Sequence, residues 1–173
     1  EICLGQLRLT GNTVSLGLTD MTLQQAQDQG AKTLVIGTAN SGGVIPESWQ
    51  PTILAAAEMG LEIASGMHQR LSEFSPLAET QQRGLTKLHE VRHFDGDLKV
   101  GNGKPRQGKR LLTIGTDCSG GKMFAALAIK ESIKQAGTSA QFKATGQTGI
   151  LIAGSGISID AVVADFISGA VEA

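Results

Sequence analysis

The residues best suited to do chemistry lie together between Gly115 and Met123, in the run Gly115-Thr116-Asp117-Cys118-Ser119-Gly120-Gly121-Lys122-Met123. Glycines let successive backbone N–H groups turn toward one point, a helix start adds partial positive charge, and Lys122 adds a full one. That combination cradles phosphate, and its place after the apolar run Leu111-Leu112-Thr113-Ile114 is the strand–turn–helix context of a P-loop. Five residues separate Gly115 from Gly121, one more than in the common GxxxxGK spacing. Nucleotide-hydrolysing P-loops place Ser or Thr after the lysine to ligate Mg²⁺. Here Met123 stands there, and a thioether is a poor ligand for a hard cation. The loop therefore reads as a phosphate anchor, and no metal is expected. Cys118, just before a helix start, sits where a thiolate is favoured, although a side chain there is more often a bystander to the backbone amides. Asp117 brings a carboxylate close to bound phosphate, which suits a lysine, metal or substrate-amine partner, or an Asx turn.

Outside the loop the candidates are more dispersed. Thr145, Gly146, Gln147 and Thr148, before Gly149, offer hydroxyls and an amide that orient a ligand without adding charge. Asn40, Ser41 and Gly42 lie in a second glycine-rich loop and are candidates for holding substrate. Asp117, Asp160, Asp165 and His68 are the candidates for catalytic acid–base work. Asp165 and Glu172, seven residues apart, fall on one face of a helical pattern, where a solvated surface is the ordinary explanation. Asp160 near that helix start complements the dipole. His68, His89 and His93 lack metal-ligand spacing. Lys99, Lys104, Arg106, Lys109 and Arg110 suit either a ligand phosphate or a solvated linker.

These residues need elements to position them, and the chain alternates short apolar runs with helical patterns, the signature of an α/β fold with a parallel sheet. Thr22 and Gln25 open a helix that Gly30 ends. Strands are expected at Thr33–Ile36, Leu61–Ala64 and Lys87–Val91, with helices at Pro51–Met59 and Pro76–Arg83 between them. Residues 95–109 read as a linker rich in glycine and charge. Beyond it the pattern gives strands at Arg110–Ile114 and Gln141–Ala144, with a further one at Ile150–Ala153. A helix over Lys122–Gln135 puts Ala126, Ile129, Ile133 and Ala136 on one face. A last amphipathic helix carries Ile159, Val162, Val163, Phe166, Ile167 and Ala170. The domains are thus 1–94, the linker 95–109, and 110–173. In an open parallel sheet the loops at the carboxyl ends of strands share a rim, so the loop at Thr145 is expected to face the P-loop if their strands are neighbours.

Composition narrows the partners. Fifteen basic and sixteen acidic residues leave a net charge of −1, and the chain has one Trp, five Phe and no Tyr. Neither a global field for an anionic polymer or membrane nor a stacking platform for bases follows, so no nucleic acid or membrane partner is expected. Cys3 and Cys118 form no disulfide framework or zinc pattern. No apolar run reaches the ~18 residues of a membrane span and no signal peptide opens the chain, which reads as soluble and cytoplasmic.

The loop GTDCSGGKM looks like the GTDxxxGK variant of dethiobiotin synthetase. Together with ATGQTGILIAGSGISIDAVVADFISGAVE it resembles a bacterial P-loop-containing family, the DgcN-type D-glutamate N-acetyltransferases. GQLRL, VSLGLTDMT, TLVIGTANSGGVIP and IASGMH resemble that family's N-terminal Rossmann-like domain. The resemblance covers nearly the whole chain and implies an acetyl-CoA-dependent acyltransferase, with the P-loop binding the cofactor's phosphates and an amino acid, D-glutamate, as acceptor. It implies GKM rather than GKS or GKT at the loop, as Met123 provides, but hands over no catalytic base. A homo-oligomer is expected. Members of the family are longer, with a further first strand–helix unit and a C-terminal extension. The chain starts without Met and stops within a helical pattern. The P-loop domain is therefore expected as its N-terminal portion only, binding phosphate without turnover. Two other readings stay open: an ATP-dependent ligase or kinase similar to dethiobiotin synthetase, and a nucleotide-sensing regulatory module.

Overall fold

The computed structural model describes residues 3–38, 40–105, 107–117 and 119–172, and the chain divides into two compact units at Glu90/Val91. In the first unit, helix α1 (Leu23–Asp28) opens with the expected capping box: Thr22 Oγ1 accepts from Gln25 N at 3.1 Å and Gln25 Oε1 accepts from Thr22 N at 2.9 Å. Gly30, at φ +86°, turns the chain into strand β1 (Thr33–Ile36). Helix α2 (Gln50–Glu58), strand β2 (Glu62–Ser65), helix α3 (Ser75–Gln82) and strand β3 (Leu88–Glu90) follow. The three strands form one parallel sheet in the order β1-β2-β3, with Thr33 opposite Glu62 and Ile63 opposite Leu88.

β2 is the middle strand, and Ile63, Ala64 and Ser65 are all buried there, as a strand covered on both faces requires. α2 buries Ile53, Ala56 and Ala57 against it, and Leu61, Met67, Leu71 and Leu77 complete one contiguous core. Thr80 is buried without penalty because its hydroxyl donates to Pro76 O at 2.7 Å. At the end of β3 the Glu90 carboxylate accepts from Leu71 N and Ser72 N at 3.1 and 3.0 Å, which fixes the turn after β2.

The second unit is built differently. Helix α4 (Lys122–Gln135) has the bounds its apolar pattern predicts, yet Ile129 and Ile133 stay 37% and 36% exposed. No strand forms among its described residues. Arg110–Ile114, expected as a strand, makes no backbone–backbone hydrogen bond among the described residues, because no second strand lies beside it. Gln141–Ala144 is reduced to a single bridge, Ala144 with Gly156. Ile150–Ala153 belongs to helix α5 (Gln147–Ala153), not a strand. A four-residue apolar run fits either state, and Gly154 at φ +69° closes it as a helix end.

The predicted final helix is also corrected. It breaks into 3₁₀ turns at Ile159–Ala161 and Ala164–Phe166 and a short helix α6 (Ile167–Glu172). Val162 and Val163, β-branched and stiff, take extended ψ values of 135° and 136° between the turns. Part of the segment read as a linker is fastened to α6. Gly101 N donates to Ser168 Oγ at 3.0 Å, and Asn102 N and Gly103 N donate to the Glu172 carboxylate at 2.9 and 2.8 Å. A side chain at Gly169 would lie 1.5 Å from Lys99 O, so only glycine permits this approach.

Candidate functional site

Two loop systems carry the candidate residues, one in each unit. In the second unit, Gly121 adopts the left-handed conformation (φ 74°, ψ 17°) immediately before Lys122, which starts the 14-residue α4. A non-glycine residue there would be strained. Lys122 folds back so that its ammonium donates to Asp117 O, and its methylenes lie across Gly115, where an added Cβ would sit 3.3 Å from Cδ. Thr113 Oγ1 donates to Lys122 O at 3.1 Å, tying the approach segment to the helix start. Asp117 makes the turn expected of it: Ser119 N and Ser119 Oγ donate to Oδ1 at 2.6 and 2.5 Å. These bonds, the side-chain one foremost, hold the carboxyl below its ordinary 3.8. Thr116, Ser119 and Gly120 are exposed, Gly121 and Met123 half-buried, and Cys118 lies outside the described residues.

Such a loop offers an ammonium, exposed hydroxyls and the free N–H groups of a helix start, the donor set for a phosphate or pyrophosphate. Its carboxylate is already engaged by Ser119, and a carboxyl whose pKa is lowered is a weaker proton acceptor than an unperturbed one.

The other candidates of this unit go elsewhere. Thr145, Gly146, Gln147 and Thr148 form the entry to α5. Gly146 O accepts from Ile150 N and Thr145 O from Ile159 N, and no hydrogen bond joins this segment to the P-loop among the described residues. The shared sheet rim expected for the two loops is absent, because the strand before Thr145 does not form. Asp160 pairs with Arg92 and accepts from Ser158 Oγ at 2.6 Å, with Arg92 and Ser158 both buried. Asp160 therefore serves the packing of the unit. Asp165 is exposed on a 3₁₀ turn while Glu172 caps the backbone at Asn102, so the two do not share a helix face.

In the first unit, the loops after β1 and β2 leave the carboxyl ends of neighbouring parallel strands, where open α/β sheets take their ligands. They are zipped together: Gln69 N donates to Gly43 O at 3.0 Å and Ile45 N to Gln69 Oε1 at 2.7 Å. Asn40 bridges its own loop, with Nδ2 donating to Val44 O at 2.9 Å. His68 is exposed and lies directly over buried Gly43, where a Cβ would meet the imidazole at 2.6 Å. Asn40, Ser41, Gly42 and His68 thus belong to one rim. Gly43 and Gln69, which hold that rim, were missed in the sequence; a GG pair after a strand was the only signal for the first, and Gln69 gave none. His89, by contrast, is paired to Glu62 at 2.7 Å within the sheet. No group of three or more His, Cys, Asp or Glu side chains able to hold a metal occurs among the described residues, and none of their helices is long and apolar enough to cross a membrane.

Comparison with known proteins agrees with this division. Residues 7–94 match the domain of unknown function DUF1611_N, a Rossmann-like domain, and residues 99–173 match DUF1611_C, a P-loop domain. The chain is 48% identical over 172 residues to a D-glutamate N-acetyltransferase of Pseudoalteromonas sp, covering 99% of this chain and 52% of that one. It is 46% identical over 168 residues to a D-glutamate N-acetyltransferase of Tritonibacter scottomollicae, covering 97% and 50%. A crystal structure of a DUF1611 family protein from Anabaena variabilis ATCC 29413 superposes with a TM-score of 0.78 at 34% identity, over 90% of this chain and 45% of that one. The chain therefore spans about half the length of the curated relatives it matches.

Proposed function

The chain belongs to the DUF1611 family of paired Rossmann-like and P-loop domains, and we propose that it serves N-acetyl transfer from acetyl-CoA to the amine of an amino acid, D-glutamate. The observation that carries this reading is the name shared by two relatives 48% and 46% identical to it along nearly its whole length. In the reaction the neutral amine attacks the thioester carbonyl carbon, the C–S bond breaks, the CoA thiolate leaves, and the nitrogen's surplus proton passes to a base.

The P-loop anchors the phosphates of CoA in this proposal. Lys122 exchanges its bond to Asp117 O for a phosphate oxygen, while Gly121 leaves the first N–H groups of α4 clear. A phosphate held this way needs no metal bridge, in keeping with Met123 at the position where a Mg²⁺-binding P-loop carries a hydroxyl. Asn40, Ser41 and Gly42, on the rim with His68, are assigned to the amino acid. Of the four candidate bases, Asp117 and Asp160 are engaged by Ser119 and Arg92; of Asp165 and His68, His68 lies on the rim assigned to the amino acid and is the one to test first.

Titration calorimetry of this chain with acetyl-CoA, with ATP, and with each plus EDTA tests the reading. Acetyl-CoA should bind equally with and without chelator, and Lys122→Ala should weaken it by about 1.5–3 kcal/mol. Binding of ATP alone, lost on chelation, would favour the ATP-dependent ligase or kinase instead. Acetylation of D-glutamate is then followed in a protein of the relatives' full length, where His68→Gln should lower kcat more than it raises KM.

A further inference from the structure

His68 is exposed, yet the chain on both sides of it is tied down. Before it, Met67 is buried and its N–H donates to Ser65 Oγ at 3.2 Å. After it, Gln69 N donates to Gly43 O at 3.0 Å, and Leu71 N and Ser72 N donate to the Glu90 carboxylate. Gly43, at φ +60°, closes the remaining side, since an added Cβ would lie 2.6 Å from the imidazole and 3.0 Å from His68 N. An exposed imidazole on an immobilised backbone is what proton transfer needs, because a base works only when held to within about 0.5 Å.

Two bonds join this segment to the loop after β1, and one of them depends on side-chain identity. Gln69 Oε1 accepts from Ile45 N at 2.7 Å, across 24 residues. Ile45 is 3% exposed, where an N–H that loses its acceptor finds no water in exchange. We propose that Gln69 is a positioning residue for acetyl transfer. By binding Ile45 N it holds the loop of Asn40, Ser41 and Gly42 at a fixed distance from His68, so that amine and base meet in one geometry. Gln69 acts through the two loops and not on the substrate. This role rests on the assignment of the rim to the amino acid and of His68 as its base.

Gln69→Met keeps the length of the side chain and removes the oxygen, whereas Gln69→Glu keeps an oxygen for Ile45 N. In the 173-residue chain, amide exchange at Ile45 should quicken by about tenfold or more in Gln69→Met and stay near wild type in Gln69→Glu. Exchange at Ile63, whose N–H donates to Lys87 O in the sheet, should not change in either and so checks the fold. Acetylation of D-glutamate is then followed in a protein of the relatives' full length that carries this chain. Gln69→Met should lower kcat by about tenfold to a hundredfold and raise KM by less, and Gln69→Glu should recover most of the loss. Unchanged kcat in Gln69→Met overturns the proposal, as does unchanged exchange at Ile45 or an equal loss of kcat in both variants. If His68→Gln is impaired while Gln69→Met is not, the positioning role alone is lost. If His68→Gln is as active as wild type, the assignment of the base falls, and this role falls with it.

Discussion

Thr-Leu-Val-Ile before Gly37 and Leu-Leu-Thr-Ile before Gly115 are near twins: four residues, β-prone and apolar, each running into a glycine-rich loop. The first is strand β1, paired along its whole length with β2; the second is paired with nothing described. Their compositions do not account for the difference. β1 finds Glu62–Ser65 one helix later, and α2 and α3 close a core over the middle strand. The run before Gly115 meets α4, but after it only the Ala144–Gly156 bridge. An apolar run supplies the propensity for a strand, and a neighbour with free N–H and C=O groups supplies the strand. The contrast extends to helices: α4 forms to its predicted ends with no buried residue, because a helix satisfies its own backbone.

The sharpest way to break this comparison is to remove matched side chains from the two runs' surroundings. Ile63→Ala, in the closed core, should destabilise the first unit by about 2–5 kcal/mol, whereas Leu112→Ala should change stability by no more than about 0.5 kcal/mol. Urea denaturation followed through Trp49, which packs on that core, reads the first, and circular dichroism reads the second. Equal effects would mean that Leu112 is buried in solution. Next in size is Asp160→Ala, which takes from the buried Arg92 its charged partner and should destabilise the second unit by about 1–3 kcal/mol. Hydrogen exchange at Ser158 and Ala161 checks it; no change there would show that the pair holds nothing together.

Thr22→Ala removes the side-chain half of the α1 capping box and should lower the stability of the first unit by about 1 kcal/mol, read by the same urea titration. The smallest effect is one of pH. Asp117 titrates below 3.8 in the folded chain, so its hold on Ser119 is complete above that value and is lost as pH falls through the folded one. The Ser119 amide shift in NMR should therefore be flat over roughly pH 5–8 and move only under stronger acid. A midpoint within the flat range would mean that the Asp117–Ser119 turn is absent in solution.

The first unit was legible in the sequence because its signals are local and agree. Thr22 and Gln25 mark a helix start, Gly30 its end, and three short apolar runs alternate with two helices at the spacing of a parallel crossover. The P-loop was legible for the same reason, since glycines and a lysine at fixed spacing act through their own backbone. What failed was whatever depended on a distant partner. Gln141–Ala144 reads as a strand until one asks what pairs with it. Ile159–Ala170 reads as one helix until Arg92, almost seventy residues earlier in the chain, draws Asp160 into a turn. Asp160 and Asp165 looked alike as carboxylates of one helix, and the structure gives the first a buried guanidinium and leaves the second exposed on a 3₁₀ turn.

The clasp between Glu172 and the backbone at Asn102 and Gly103 has a consequence in time. Its partners are 70 and 69 residues apart, and Ser168 reaches Gly101 across 67. A ribosome releases residues in order, and closing so long a loop waits for its last residue. The first unit has every partner it needs once Glu90 has emerged. The second cannot fasten its opening segment until α6 is out, so for that interval its glycine-rich start trails free behind a finished neighbour. Chains arrested at residue 157 should accordingly resist protease through residue 90 and be cut at 99–103, and cutting there should slow in chains that carry α6 outside the ribosome.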